Sequence, residues 1–220
     1  MMEWSCAVTA VRRRAGEGGL LHDTLKSLAD AGFDEVQTLF DLDRNAMAHW
    51  ARVLVHIYLR HPHANRFAIF QDDIICTGGL REYLESFPED KIGSVYLNLY
   101  TAPPNENRIK SNRETPRIGW HESDQLGKGA LALVFSRDVM LKLLTAESFW
   151  KKHQSTRKPD RNIDGCVITA MKLQGIKELV HWPSLVQHTG TGNGTSAIGN
   201  IDRERSSSFP GEGVDVRSLG

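Results

Sequence analysis

The chain reads as a mixed α/β protein built on a mostly parallel sheet, and three observations carry that reading. Apolar runs of strand length recur at 5–11, 35–40, 67–74, 93–99, 129–135 and 177–182. Between the first three runs the apolar residues repeat at helical spacing, so strand and helix alternate as in the right-handed crossovers of a nucleotide-binding half-domain. A length of 220 residues with 40% hydrophobic content is enough for one full core of this class, and a second complete domain would be cramped.

Taken in order, Ser5 to Val11 is compact and apolar, a first buried strand. Arg12, Arg13 and Arg14 follow and lead into a turn rich in glycine; they could face phosphates or simply line a solvated turn. Leu21, Leu25 and Leu28 mark a helix over 20–31 that stops at Gly32. Glu35 to Phe40 is a second strand ending in Asp41, and Met47, Trp50, Leu54, Ile57 and Tyr58 mark a longer helix over 45–60, closed before Pro62. The third strand, 67–74, carries Asp72 and Asp73 at its end. A short helix is expected over 79–87 and a strand over 93–99. Residues 101–117 are polar, contain Pro103, Pro104 and Pro116 and show no apolar period, which predicts a long loop. Gly129 to Phe135 is again a strand, with Ser136 placed to cap a helix over 137–144. Lys151, Lys152, Arg157, Lys158 and Arg161 form the most basic stretch. Asn162 can cap a helix over 163–174 with Asp164 in its first turn, where a carboxylate favours the helix dipole. A strand over 177–182 then leads through Pro183 to His188 and a run of glycine, threonine and serine. The domain is expected to span 1–199, and 200–220, charged and serine-rich, is expected to be a mobile tail.

Composition narrows the function classes. Lys plus Arg and Asp plus Glu number 27 each, so global charge points to neither a nucleic-acid binder nor a membrane-surface protein. The three cysteines, Cys6, Cys76 and Cys166, are far apart with no zinc spacing, and are expected to be reduced and buried. No run approaches the roughly 20 apolar residues that span a bilayer. The start lacks a basic-then-apolar signal, which predicts a cytoplasmic protein, of a bacterium or a virus-infected host, without membrane insertion.

Asp72 and Asp73 are the first candidate site. At the carboxyl edge of an open α/β sheet, where ligands bind, adjacent carboxylates repel unless a cation lies between them, and a divalent ion carrying a diphosphate would serve. The alternative is a pair of acidic helix caps.

Four segments in order resemble the metal-dependent glycosyltransferases of the GT-A fold, particularly the N-acetylglucosaminyltransferases that branch N-glycans and related bacterial and viral enzymes. They are Val11-Arg-Arg13 with the segment 21–28; Gln71-Asp-Asp-Ile74, similar to the acidic metal signature; Gly129 to Ser136; and Pro183-Ser-Leu-Val-Gln-His-Thr-Gly190 with Ser196 beyond. The resemblance implies a GT-A, Rossmann-like single domain and an inverting transfer of a sugar from a nucleotide sugar, a UDP-sugar by preference, to a hydroxyl. It implies that Asp73 and His188 bind Mn²⁺ or Mg²⁺, that Gln71 and Asp72 approach the ribose and metal waters, and that the loop from Thr189, with Ser196 beyond, closes over the diphosphate. Thr9, Arg13 and Asp41 would line the nucleobase and ribose pocket, Gly129 would border the donor, and Asp164 would be the catalytic base, with Glu122 and Asp124 beside Trp120 in reserve. The acceptor could be a glycan, a protein or a hydroxymethylated nucleic-acid base, the last favoured if the basic stretches share the site face. Two alternatives stay open: a nucleotidyltransferase acting on sugar phosphates, and a nucleotide-sugar-binding module without catalysis.

Overall fold

The computed structural model describes residues 2–12, 15–16, 19–42, 45–111, 115–153, 162–190 and 205–219. Its centre is a seven-stranded sheet made of β1 (Trp4–Ala10), β2 (Val36–Phe40), β3 (Arg66–Gln71), β5 (Val95–Asn98), β6 (Gly119–Glu122), β7 (Ala132–Ser136) and β8 (Lys177–Trp182), in the order β2-β1-β3-β7-β5-β8-β6. β4 (Ile74–Cys76) and β9 (Val186–His188) form a separate antiparallel ribbon in which Ile74 lies opposite His188. β1 is parallel to β2 and β3, and β5 is parallel to β8. β7 opposes both β3 and β5, and β6 opposes β8. β2, β1, β3, β5 and β8 therefore share one direction, the mainly parallel α/β sheet expected from the sequence.

Period-two alternation divides the core between the two faces. Cys6, Val8 and Ala10 of β1, with Ala68 and Phe70 of β3 and Ala132 and Val134 of β7, pack with Leu21 and Leu28 of helix α1 (Leu20–Asp30). Ala7, Phe67, Ile69, Leu133 and Phe135 point the other way, against Trp50, Leu54 and Ile57 of helix α2 (Ala46–Arg60). That second face also holds α6 (Arg137–Thr145), α7 (Glu147–His153) and α8 (Ile163–Lys172). Strands covered on both faces need apolar residues at every position, which is why they read as unbroken apolar runs. The caps fall where the side chains dictate: Asn45 accepts from Ala48 N at 3.1 Å, Ser136 from Val139 N at 3.3 Å and Asn162 from Asp164 N at 3.0 Å. Cys6, Cys76 and Cys166 are all buried free thiols, and burial pushes the Cys6 pKa up to about 12. No helix among the described residues is long and apolar enough to cross a membrane.

Several stretches differ from the sequence expectation, among them α4 (Glu89–Ile92), β6, α7 and β9, which it did not include. The apolar run 67–74 is two strands, because Asp72 and Asp73 interrupt it and Ile74 begins β4. Pro103–Ser111, expected within a loop, is helix α5. Its prolines sit in the first turn, where their missing N–H groups cost nothing. Of its buried side chains, Asn105 and Glu106 are polar and only Ile109 is apolar, so no apolar period announces it. Helices α3 (Leu80–Glu85) and α4 complete the chain before β5.

In place of the mobile tail expected after Gly199, residues 205–219 are packed. Ser206 and Val216 are buried, Gly78 bridges to Asp215, and Val216–Ser218 forms a 3₁₀ turn. The segment is held by hydrogen bonds from Ser206, Ser207 and Ser208 to the buried Glu106 carboxylate.

Candidate active site

The carboxyl ends of β1, β2 and β3 meet at one edge of the sheet, and the acidic pair lies there. Both aspartates are buried, Asp72 at 4% and Asp73 at 3% exposure. Burial of two adjacent carboxylates needs compensation, and each receives it differently. Asp72 turns back under β1, where the Val11 amide donates to its Oδ2 at 2.7 Å. Asp73 faces the ribbon, with its Oδ2 3.1 Å from His188 Nε2. Its carbonyl also accepts from Thr189 N at 2.8 Å. The β4–β9 pairing thus brings together two side chains 115 residues apart in sequence.

Gly190 leaves this pair room. A Cβ built on it would lie 2.8 Å from both Asp73 Oδ2 and His188 Nε2, so a larger residue would fill the space in front of them. A carboxylate oxygen and an imidazole nitrogen turned toward one space are a donor set that suits a divalent ion, with the imidazole tilting preference toward Mn²⁺ over Mg²⁺. Among the described residues no cluster of three or more His, Cys, Asp or Glu side chains is placed to hold a metal. Any ion here would take its remaining ligands from water or a bound phosphate.

The other predicted nucleotide-side residues border the same edge. Thr9 stands beside Gln71 in the parallel register, and its hydroxyl donates to Phe70 O at 3.2 Å. The Gln71 side-chain amide donates across to Ala130 O at 2.9 Å, which commits that group to the β3–β7 junction. Asp41 lies just past β2, where its amide donates to Ala10 O at 2.8 Å and its Oδ1 takes a long contact from Asn45 N at 3.4 Å. His49 of α2, not singled out in the sequence, is buried behind them with Nε2 2.9 Å from Leu39 O, and burial lowers its pKa. Arg13 and Ser196 lie outside the described residues, as do Arg157, Lys158 and Arg161. Lys151 is exposed and pairs with Glu147 at 2.7 Å.

Asp164 lies in the first turn of α8 and reaches the turn before β7. Gly129 N donates to its Oδ2 at 2.7 Å and Ala130 N to its Oδ1 at 2.9 Å. Burial raises its pKa, against the lowering pull of those amides and of Lys128. The turn needs glycine twice. A Cβ on Gly127 (φ +71°) would lie 2.7 Å from Asp164 O, and one on Gly129 (φ +75°) only 2.4 Å from the Tyr100 ring. Gly129 therefore positions Asp164, and through Ala130 and Gln71 the carboxylate connects to the strand that bears the acidic pair.

The reserve carboxylates are elsewhere. Glu122 occupies the row of Leu179, Leu97, Val134 and Ala68, three residues back from Gln71 and away from the carboxyl edge. It pairs with Lys177 at 2.8 Å. Asp124 closes its own turn by accepting from Leu126 N at 2.9 Å. Trp120 packs against Tyr83, Phe87 and His181, which is a core role.

The sequence reading missed a buried network behind the Gly129 turn. Glu178 Oε1 accepts from Tyr96 OH and Asn98 Nδ2, each at 3.1 Å, and Asn98 also donates to Lys128 O at 3.2 Å. Burial raises the Glu178 pKa. A glutamate at the second position of β8, beside Leu179 and Val180, was the available signal.

No protein-family profile and no curated protein sequence matches the chain. Among solved structures, A197 from STIV aligns over 84% of this chain and 84% of its own, with a TM-score of 0.51 and 13% identity. A mannose-1-phosphate geranyltransferase from Thermus thermophilus aligns over 82% of this chain and 74% of its own, with a TM-score of 0.43 and 13% identity. The likeness to A197 is one of fold, the mixed α/β architecture described above.

Proposed function

We propose that the protein is an inverting, metal-dependent glycosyltransferase that moves a sugar from a nucleotide sugar, a UDP-sugar by resemblance, to an acceptor hydroxyl on a glycan, a protein or a hydroxymethylated nucleic-acid base. The observation that carries this reading is the meeting of Asp73 and His188 at 3.1 Å on the carboxyl edge, with the space before them kept open by Gly190. In this reading those two side chains hold Mn²⁺ or Mg²⁺, which supplies neutralisation of the charge developing on the departing diphosphate. Thr9, Asp41, Gln71 and Asp72 border the nucleoside, and Thr189 and Gly190 the phosphates.

Asp164 takes the acceptor's proton. Its two oxygens each accept one amide, and an ionised carboxylate offers about four acceptor positions, so capacity remains for an incoming hydroxyl. A pKa raised by burial makes it a better base than an exposed carboxylate, provided it is still ionised at working pH. The test is a nucleotide-sugar screen with Mn²⁺ that reads released UDP, repeated on Asp73→Ala and His188→Ala. Loss of turnover in both variants is expected. Metal-independent turnover, or full activity in both, would remove the basis of the mechanism.

One observation favours a second reading, nucleotidyl transfer to a sugar phosphate. Asp164 is anchored through both oxygens to backbone amides, as a purely architectural residue would be. A phosphate nucleophile is already ionised and needs no base. The product separates the two: the first reading releases a nucleoside diphosphate, the second pyrophosphate.

A further inference from the structure

His188 is the last residue of β9, and what holds it on the side away from β4 comes from the end of the chain. The neighbouring Gln187 uses one side-chain oxygen twice: its Oε1 accepts from His188 N at 3.2 Å and from Ser206 N at 2.9 Å. The other end of the same amide donates from Nε2 to Ser206 O at 2.9 Å. One side chain thereby pairs with both backbone groups of Ser206 while holding the amide of the histidine.

Ser206 is in turn held by Glu106. Its hydroxyl donates to Glu106 Oε1, which also accepts from Ser208 N at 2.9 Å. Oε2 accepts from Ser207 N at 3.1 Å and Ser207 Oγ at 2.6 Å. Four donors on three consecutive residues saturate a carboxylate that is 2% exposed. Ser208 Oγ also accepts from Ser184 N at 3.0 Å, which ties the segment to the chain entering β9. A charge-assisted contact of this kind is stronger than one between neutral groups and defines geometry more tightly.

We infer that Glu106 and Gln187 are positioning residues for the metal-binding imidazole, and that the segment 206–208 is the brace through which Glu106 acts on it. The inference rests on the proposal that Asp73 and His188 bind a divalent ion. Partners hydrogen-bonded to a ligating side chain are typically worth about 10- to 100-fold in metal affinity, and Gln187 acts one step back from the ring, by fixing the main-chain amide of His188 from which the imidazole projects. Glu106 reaches His188 through Ser206 and Gln187, so a weakening within that range is expected from either residue.

The experiment measures Mn²⁺ affinity directly, by electron paramagnetic resonance of the free ion, on the full chain without donor or acceptor. It compares wild type, His188→Ala, Gln187→Ala, Glu106→Gln and Val216→Ala, each with its melting temperature. Val216 is buried in the same C-terminal segment but takes no part in the connection to His188, so it reports what mere destabilisation does. The expected result is wild-type binding abolished in His188→Ala, weakened about 10- to 100-fold in Gln187→Ala and Glu106→Gln, and retained in Val216→Ala. Equal affinity of Gln187→Ala and wild type overturns the brace while leaving the metal site standing. So does an equal loss in Val216→Ala, which would make the effect one of stability. Wild-type affinity no higher than that of His188→Ala refutes the metal site itself. If Glu106→Gln does not fold, Gln187→Ala at the partly exposed middle of the connection still decides the matter.

Discussion

His181 and His188 lie seven residues apart in one stretch of sequence, and the fold gives them opposite characters. His181 in β8 is wholly buried: Nδ1 donates to Pro183 O at 2.7 Å, Nε2 accepts from Tyr83 OH at 2.8 Å, and Trp120 and Tyr83 pack on the ring. Both nitrogens are used, so this imidazole is neutral architecture, and burial lowers its pKa to about 4. His188 at the end of β9 retains 13% side-chain exposure and turns Nε2 to the Asp73 carboxylate, in front of a glycine. The residue type is the same; what differs is whether its partners are part of the core or stand at an edge that a ligand can reach. The carboxylates differ as well: the oxygens of Asp164 are held by the amides of the Gly129 turn, whereas Glu122 is exposed on the flank of the sheet beside Lys177.

The largest effect that would break this contrast is on Asp164. Asp164→Asn keeps the shape but leaves only one oxygen for the two amides of Gly129 and Ala130. An unsatisfied buried amide costs about 1–3 kcal/mol, which chemical denaturation would read. If the carboxylate takes the acceptor's proton, turnover of the folded variant falls by a further ~10²- to 10⁴-fold while donor binding persists. Turnover within about tenfold of wild type would return Asp164 to the architectural side, with His181, and favour the reading that needs no base.

A second test addresses His181. Its folded pKa is depressed, from an ordinary value of 6.5 to about 4, so the unfolded chain binds a proton more readily than the folded one across that interval. The stability contributed by the neutral ring is complete above pH 6.5 and is lost as pH falls toward 4, roughly 3 kcal/mol in all. Denaturant unfolding at pH 7, 5.5 and 4 should show this slope, and His181→Gln should lose it. An unchanged slope in the variant would place the acid sensitivity elsewhere. Glu106 is a second contributor with the same sign. Burial works to raise its pKa, but hydrogen bonds from Ser206, Ser207 and Ser208 outweigh burial and leave it lowered, so its contribution also fades on acidification.

These differences were unequally legible. Val8, Phe70 and Leu133 belong to strands buried on both faces, and their apolar runs announce both the strands and the sheet. Asp72 and Asp73 are visible as a break in such a run, and glycine after His188 marks a close approach. Helix α5 and the segment 205–219 are held by Glu106 and the serines, polar groups whose partners lie about a hundred positions away. Composition alone reads both as loop and tail, because a buried carboxylate and a solvated one are the same letter until the partner is known. The β4–β9 ribbon was hidden for a related reason: three residues pairing across more than a hundred carry no local period.

The smallest expected effect is at Glu122, and it tests whether the fold has sorted the carboxylates correctly. Sequence proximity to Trp120 made this residue a reserve base, yet the sheet register sets it back from the carboxyl edge and the tryptophan turns into the core. Its contact with Lys177 joins side chains that are 43% and 60% exposed, and an ion pair so open to solvent contributes about 0–1 kcal/mol. Glu122→Gln should therefore unfold within ~1 kcal/mol of wild type and turn over at the wild-type rate. A rate loss of more than about tenfold, seen together with an unaffected Asp164→Asn, would move the chemistry from the Gly129 turn to the β6 flank. Such a result would make the Asp73–His188 edge a binding site remote from the reacting hydroxyl, because Glu122 stands in the row of Ala68 rather than at the end of β3.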